Sequence, residues 1–430
     1  MDHAEEEQGN ISNMHFLYPY NRIRGKNVKN IRDKQEYNIL QQYLSDCSFC
    51  IYGAGIVATS VYDALQALYG YSPLFFLVSD PSDPEQKGLD SARGNAGFGQ
   101  YREINGIPVK TLSEWKEGGE IPEKYVVAAP EVHHEAIVRA LRELQIEDER
   151  IFLFTNEREN ELMEEYFRKI PGHRTIRGIL AGQKASEKAL TLPEKEMLSD
   201  TVHVYQAKSH MDRPVQSQSI IPAYICPVQV GASLTEQIIC DLQDNSGENI
   251  STKNRNYCEL TASYYAWRHS DDHYKGICHY RRLFDIDVEQ MRALLCCDTE
   301  WDVILPYPSV HYPDISSQHS RYIKESDWKA MLQALGELEP AYLEAYEKNV
   351  TNDERYFFNF NMLIAKAEVF DEYCSFLFRV LERTEELVTP KGWERADRFA
   401  GYLGENLTTI YFLKNRERWK IAYAGKIWLT

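Results

Sequence analysis

The hydrophobic pattern of the chain has two regimes. After a polar tail (residues 1 to about 30), a helix is expected from about Asn30 to Leu44. Short apolar runs then alternate with amphipathic stretches. Phe49–Tyr52 reads as a buried strand, Gly53-Ala54-Gly55 as a tight turn and Val57–Leu68 as an amphipathic helix. Leu74–Val78 is a second strand, closing on Ser79 and Asp80. Pro81–Tyr101, rich in Gly, Asp and Ser, reads as a mobile segment. Ile104–Trp115 supplies a turn, a short strand and a helix start. Lys124–Ala129 is a third strand, His133–Leu144 a helix and Ile151–Phe154 a fourth strand. Strands and helices alternating at this spacing predict a parallel α/β sheet.

The pattern changes after residue 155. Residues 155–200 are charged and helical in character and read as a connector. Val202–Ala207 alternates as a strand opening a second α/β domain. Asp244–Ser251 (DNSGENIS) is a polar loop, and Asn256–His269 is a helix leading into the buried strand Tyr274–Cys278. Asn361 begins the strand Met362–Ala365. Gly401-Tyr402-Leu403-Gly404-Glu405 reads as a loop entering the helix Asn406–Leu413. The expected divisions are 1–46 (tail and helix), 47–158 (Rossmann-like), 159–200 (connector) and 201–430 (second domain).

Charge and composition narrow the function. The net charge of −17 argues against nucleic-acid binding, which needs a basic footprint, and against attachment to an anionic membrane by charge alone. Any phosphate site must then be a local basic patch. The 28 tyrosines suit both sugar stacking and core filling. No apolar run is long enough to span a membrane, and the acidic start MDHAEEEQGN lacks a signal peptide's apolar core. A cytoplasmic protein, at most peripheral to the inner face of the membrane, is expected. The nine cysteines show no metal pattern (Cys47-x-x-Cys50 stands alone, Cys296 and Cys297 are adjacent) and read as reduced thiols.

Two places carry candidate chemistry. The strand Tyr274–Cys278 ends in His279-Tyr280-Arg281-Arg282. Adjacent arginines at the end of an inner strand are costly unless an anion such as a diphosphate sits there, or unless they pair with Glu259 or Asp285. Asp285-Ile286-Asp287, just beyond, has the spacing of a metal-binding pair. Glu259 stands in an apolar helix, on one face with Ser263, and needs a partner. Asp244, Asn245, Asn249 and Ser251 supply either hydroxyl recognition or turn capping. In the first domain, Gly53-x-Gly55-x-x-Ala58 resembles the start of a Rossmann-like nucleotide site, with Asp80 where a ribose is often held. The alternative is that these glycines only allow close helix–strand packing.

DNSGENIS, NYCELTASYYAW, GICHYRRLF, NMLIAK (Asn361–Lys366) and GYLGENL (Gly401–Leu407) occur in that order. Over about residues 201–423 the chain resembles the capsular-polysaccharide glycosyltransferases grouped as DUF4422. The resemblance implies a GT-A-like fold and transfer of a sugar from a nucleotide-diphosphate donor, UDP-linked and of galactose or galactofuranose type. The acceptor would be a capsular, exopolysaccharide or lipopolysaccharide glycan, or a lipid-linked one, with other polysaccharide-assembly enzymes as partners. It implies a catalytic base at Glu405 and donor contacts from Asn249, Glu259, His279, Tyr280, Arg281, Arg282 and Asn361. Asp397 and Arg398 are weaker candidates, and His319 and Asp327 fall on the acceptor side. No Asp-x-Asp ends the strand, so either the arginines hold the diphosphate without metal or His279 joins a carboxylate around Mn²⁺ or Mg²⁺. Where relatives carry a His-Lys pair, this chain has Lys208-Ser209-His210. Two other readings compete: an NAD(P)-dependent sugar-modifying oxidoreductase, against which stands the lack of a Tyr-x-x-x-Lys dyad, and a non-catalytic scaffold.

Overall fold

The structure is a computed structural model that describes residues 40–80, 102–185, 201–215 and 221–429. The chain divides into two compact units, Met1–Tyr43 and Leu44–Thr430. Most of the helix expected before Leu44, the whole of Pro81–Tyr101 and residues 186–200 of the expected connector lie outside the described residues.

Within the second unit, the first sheet is built by β1 (Phe49–Tyr52), β2 (Phe76–Val78), β3 (Glu103–Ile104), β4 (Ile107–Thr111), β5 (Lys124–Val127) and β6 (Ile151–Leu153), in the order 3-4-2-1-5-6. All pairs are parallel except β3 with β4. The chain winds from β1 outward to one side, then returns for β5 and β6, the doubly wound arrangement. Helix α1 (Ile56–Tyr69) follows β1. Helices α2 (Leu112–Lys116) and α3 (His134–Glu143) bury Leu112, Trp115, Ile137 and Leu141 against Tyr52, Leu77 and Tyr125. Helix α4 (Asn156–Lys169) packs on α1.

Gly53 has φ +130, and a Cβ there would lie 2.4 Å from the Ala128 carbonyl oxygen. Its demonstrated work is a close backbone approach between β1 and the end of β5. Asp80 accepts a hydrogen bond from the Ser113 N–H (2.9 Å), and bonds from Ser113 and Thr111 draw its carboxyl below the usual range despite desolvation. Asp80 therefore caps the start of α2. Gly55 is the residue before α1, in extended conformation.

The segment expected as a connector belongs to the larger sheet. Its strand β7 (Arg174–Thr175) pairs with β17 (Ile421–Ala424), and α5 (Ile176–Ala185) follows. The other strands are β8 (Val202–Lys208), β9 (Ile225–Gln229), β10 (Leu242–Gln243), β11 (Tyr274–His279), β12 (Arg282–Phe284), β13 (Val303–Pro306), β16 (Leu363–Lys366) and β18 (Lys426–Trp428). They run in the order 10-9-8-11-16-13-17-7, with β12 bridging β11 and β18. Along the main path only β16 runs antiparallel to its neighbours. A two-stranded ribbon of β14 (Ser309–Val310) and β15 (Tyr356–Phe357) lies outside both sheets. The class is the α/β one expected, a doubly wound sheet followed by a larger mixed one.

Local breaks depart from the sequence pattern. The helix expected over Asn256–His269 is two, α6 (Asn254–Tyr257) and α7 (Leu260–His269), split where Cys258 takes φ +52 and ψ −127. Helices α8 (Val288–Leu295), α9 (His319–Tyr322), α10 (Glu325–Leu338), α11 (Pro340–Thr351) and α12 (Ala367–Leu387) follow. The segment Gly401–Glu405, expected as a loop, lies inside α13 (Phe399–Lys414). Isolated glycines cost a helix about 1 kcal/mol each. Here they permit contact: a Cβ at Gly404 would lie 2.7 Å from Leu260 Cδ1, and one at Gly401 3.4 Å from Cys258 Sγ. Helix α13 is buried on nearly every side, so packing outweighs propensity.

Candidate active site

The larger sheet turns back on itself between β8 and β11, where the chain has gone out to β10 and returned. Ligands of open α/β sheets bind outside the carboxyl ends of the strands at such a point. His279 ends β11 there. Because β16 runs the other way, its preceding residues Phe360 and Asn361 arrive at the same edge. Gln206 of β8 donates to the carbonyls of His279 and Tyr280 and fixes this corner.

The CHYRR motif is a hairpin. Tyr280 and Arg281 form the turn, and Arg282 pairs directly with His279 across it. Directly paired residues project to the same face. Arg282 therefore turns inward beside His279, and the two arginines do not share one task. The Arg282 guanidinium lies between Phe360 and Trp428, 4.4 Å from each ring centroid, and its buried Nε has no hydrogen-bond partner among the described residues. Arg281 lies over the Tyr280 ring at the turn (5.0 Å), and its charge acts, with those of Lys208 and Arg398, on Asp212.

Around His279 the polar groups form one network. His279 Nε2 faces the Phe360 carbonyl at 2.5 Å and Glu259 Oε1 at 3.8 Å. Burial pulls the imidazole pKa down. In the neutral ring the carbonyl, which only accepts, requires the proton on Nε2, leaving Nδ1 to accept from Arg282 Nη1 (3.4 Å). Asn361 donates to Glu259 Oε1 (2.7 Å) and to the Gly401 carbonyl (3.0 Å). The Phe360 N–H donates to Glu405 Oε1 (2.9 Å), and Gln318 Nε2 approaches Glu405 Oε2 (3.4 Å). Asn406 holds Gln318 Oε1 at 3.0 Å.

Glu405 is strongly changed by this setting. Burial and the neighbouring Glu259 carboxylate push its pKa from 4.5 up to about 7, opposed by the Phe360 N–H and by Arg282 and Arg398. A carboxyl poised there exchanges a proton near neutrality, as a general base must. The backbone is strained around it. Cys258, Phe360, Asn361 and Arg398 all have positive φ (52, 75, 48 and 65). Such conformations cost energy and gather where a site needs them. At Phe360 the result is visible: its N–H serves Glu405 while its carbonyl serves His279. The Cys258 thiol, 3.2 Å from Arg398 Nε, is pushed up to about 11 by burial, which keeps it protonated and unreactive.

Glu259, His279, Arg282, Asn361 and Glu405 are thus brought together, with Tyr280 and Arg281 at the rim. Other expected residues are engaged elsewhere. Asn249 bonds within its own loop, to the carbonyls of Asn245 and Gly247 and to the Ser251 N–H. Asp244 is fully buried and accepts from the Gly231 and Ala232 N–H groups and from Ser251 Oγ, a capping role. Asp287 caps α8, and Asp285 pairs with Arg177 (3.3 Å). Asp327 forms a buried bidentate pair with Arg395, which also binds Asp397. His319 stacks on Trp328 at 4.2 Å. Gly53, Gly55 and Asp80 belong to the first sheet. Gln318 and the Phe360 main chain had no signal in the sequence, because a backbone amide carries none and a lone Gln is ordinary. Among the described residues no group of three or more His, Cys, Asp or Glu has a metal-holding arrangement, and no helix is long and apolar enough to cross a membrane. All nine cysteines are free.

No curated protein matches the chain. A solved structure described as "WbbM bifunctional glycosytransferase apo structure" aligns at 24% identity over 54% of this chain and 45% of that one, with a TM-score of 0.46, too distant a likeness to bear on function. The chain thus spans under half of that protein's length. Residues 208–416 match the model of a family described as Domain of unknown function (DUF4422). Every polar member of the cluster around Glu405 falls within that segment, and the chain carries a DUF4422 domain there.

Proposed function

We propose that the protein is a glycosyltransferase that moves a sugar from a nucleotide-diphosphate donor, of the UDP-hexose class, onto a hydroxyl of a surface-glycan or lipid-linked acceptor. The observation that carries this reading is Glu405, a carboxyl with its pKa near neutrality, networked with His279 and Arg282 at the carboxyl edge of the sheet. Glu405 takes the acceptor proton as the acceptor oxygen attacks the anomeric carbon. The bond from that carbon to the diphosphate breaks, and the diphosphate leaves with the electron pair. A single displacement of this kind inverts the anomeric centre. Arg281, at the rim, meets the departing charge, with Lys208 nearby. Arg282 sits behind, holding His279 and offsetting the two carboxylates. Asn361 and Glu259 are placed to orient sugar hydroxyls. The membrane is met only through the acceptor and other assembly enzymes.

Titration calorimetry of UDP, UDP-sugars, GDP-sugars and NAD(H), with and without Mn²⁺, on wild type, Arg281→Ala and Glu405→Gln tests the reading. UDP binding weakened in Arg281→Ala but kept in Glu405→Gln, with turnover lost in the latter, is expected. Binding of NAD(H) alone, indifferent to Arg281, would overturn it.

A further inference from the structure

We infer that helix α1 of the first sheet is a positioning element of the Glu405 site; the inference rests on Glu405 being the working carboxylate. Three polar side chains on α1, Thr59, Ser60 and Asp63, are buried. They contact the β14–β15 region rather than solvent. Thr59 Oγ1 donates to the Val310 carbonyl (2.6 Å), and the Val310 N–H donates to Ser60 Oγ (3.1 Å). Asp63 accepts from Tyr312 (2.5 Å), from Arg355 Nη1 (3.0 Å) and from Tyr166 of α4. Arg355 Nη1 also reaches the Tyr312 hydroxyl at 2.8 Å.

The strand β14, which α1 grips directly, and β15, which begins beside the held Arg355, both lead toward the site. Beyond β15 come Asn359, Phe360 and Asn361; beyond β14 the chain reaches Gln318. Asn359 is bonded back to Ser309 of β14. The Phe358 N–H donates to Thr409 of α13 (3.0 Å), one turn after Glu405. The hydrogen bonds to Glu405 from Phe360 and Gln318 thus come from segments that continue from residues α1 holds, Arg355 and Val310–Tyr312. The strained Phe360 and Asn361 conformations persist only where the surroundings over-determine them. A tie this polar is more than packing requires, since an apolar contact would bury the same helix without needing matched partners.

The prediction follows from charge balance. Glu405 faces the Glu259 carboxylate, Arg282, Arg398 and the Tyr402 ring, with His279 behind Phe360. Loosening the ribbon withdraws the Phe360 N–H, which favours the ionised form, and leaves Glu259 unopposed by it. The Glu405 midpoint then rises by about one unit, the worth of one hydrogen bond to a charged group.

The test uses full-length protein carrying ¹³C-labelled glutamate, with the Glu405 carboxyl signal identified by its loss in Glu405→Gln. Ser60→Ala and Tyr312→Phe each remove one contact of the grip. Ile137→Val, in the core on α3, perturbs the same sheet without touching the ribbon. An upward move of the midpoint in the first two variants and none in the third is expected. In parallel, UDP release from UDP-galactose falls in turnover with the donor KM unchanged, and the acid limb of its pH profile moves with the carboxyl signal. A midpoint unmoved in Ser60→Ala and Tyr312→Phe, or moved equally in Ile137→Val, overturns the inference. Absence of UDP release in wild type would strike at the transferase reading alone, since the carboxyl titration decides the positioning role without it.

Discussion

Replacing Glu405 by Gln should make the protein more stable at alkaline pH while removing its proposed chemistry. The raised pKa means that the folded state prefers the protonated carboxyl. Well below 4.5 both folded and unfolded chains hold the proton, and the group costs nothing. Between 4.5 and about 7 the folded state keeps a proton that the unfolded chain has released, so stability falls as pH rises. Above about 7 the folded state must carry the charge, and the cost is complete. At about 1.36 kcal/mol per unit, the rise from 4.5 to about 7 is worth about 3 kcal/mol. Glutamine keeps an acceptor for the Phe360 N–H but presents an amide to Gln318 Nε2, losing about 1 kcal/mol. A net gain of about 2 kcal/mol is therefore expected at pH 8, with little gain remaining at pH 5. Urea unfolding of both proteins at the two pH values measures it. A variant no more stable than wild type at pH 8, or stabilised equally at both pH values, would refute the reasoning. Active sites commonly hold such instability in exchange for reactivity.

Other expectations separate the roles of neighbours. Arg281→Ala should leave unfolding within about 0.5 kcal/mol of wild type and weaken UDP binding about 10–100-fold, read by calorimetry. Arg282→Ala should instead destabilise by about 2 kcal/mol, because it empties the slot between Phe360 and Trp428 and leaves Glu259 and Glu405 facing each other. Gly404→Ala drives a methyl group against Leu260 and Asn361 and should cost about 1–3 kcal/mol in urea unfolding. Asp327→Ala strands the buried Arg395 cation and should cost about 3–5 kcal/mol, seen as a drop in Tm.

Sequence alone determined the alternation of strand and helix that yields two α/β sheets, since the periods of 2 and 3.6 are local properties. It also marked the end of β11 as a place where charge sits at a cost, while the glutamate of GYLGENL was singled out by the family resemblance. It misjudged what depends on distant partners. Gly401 and Gly404 look like a loop because glycine disfavours helix locally; only contact with Cys258 and Leu260 shows that the missing side chains let α13 approach. Arg281 and Arg282 look equivalent, and only the pairing of Arg282 with His279 turns one toward the rim and the other inward. Asp80 and Asn249 have the composition of ligand contacts, yet nearby backbone N–H groups claim them. Thr59, Ser60 and Asp63 carry no signal of their own within an amphipathic helix. Their partners lie some 250 residues away in the chain, Val310 and Tyr312 among them, and contact at that separation is decided by tertiary packing, which no local period encodes.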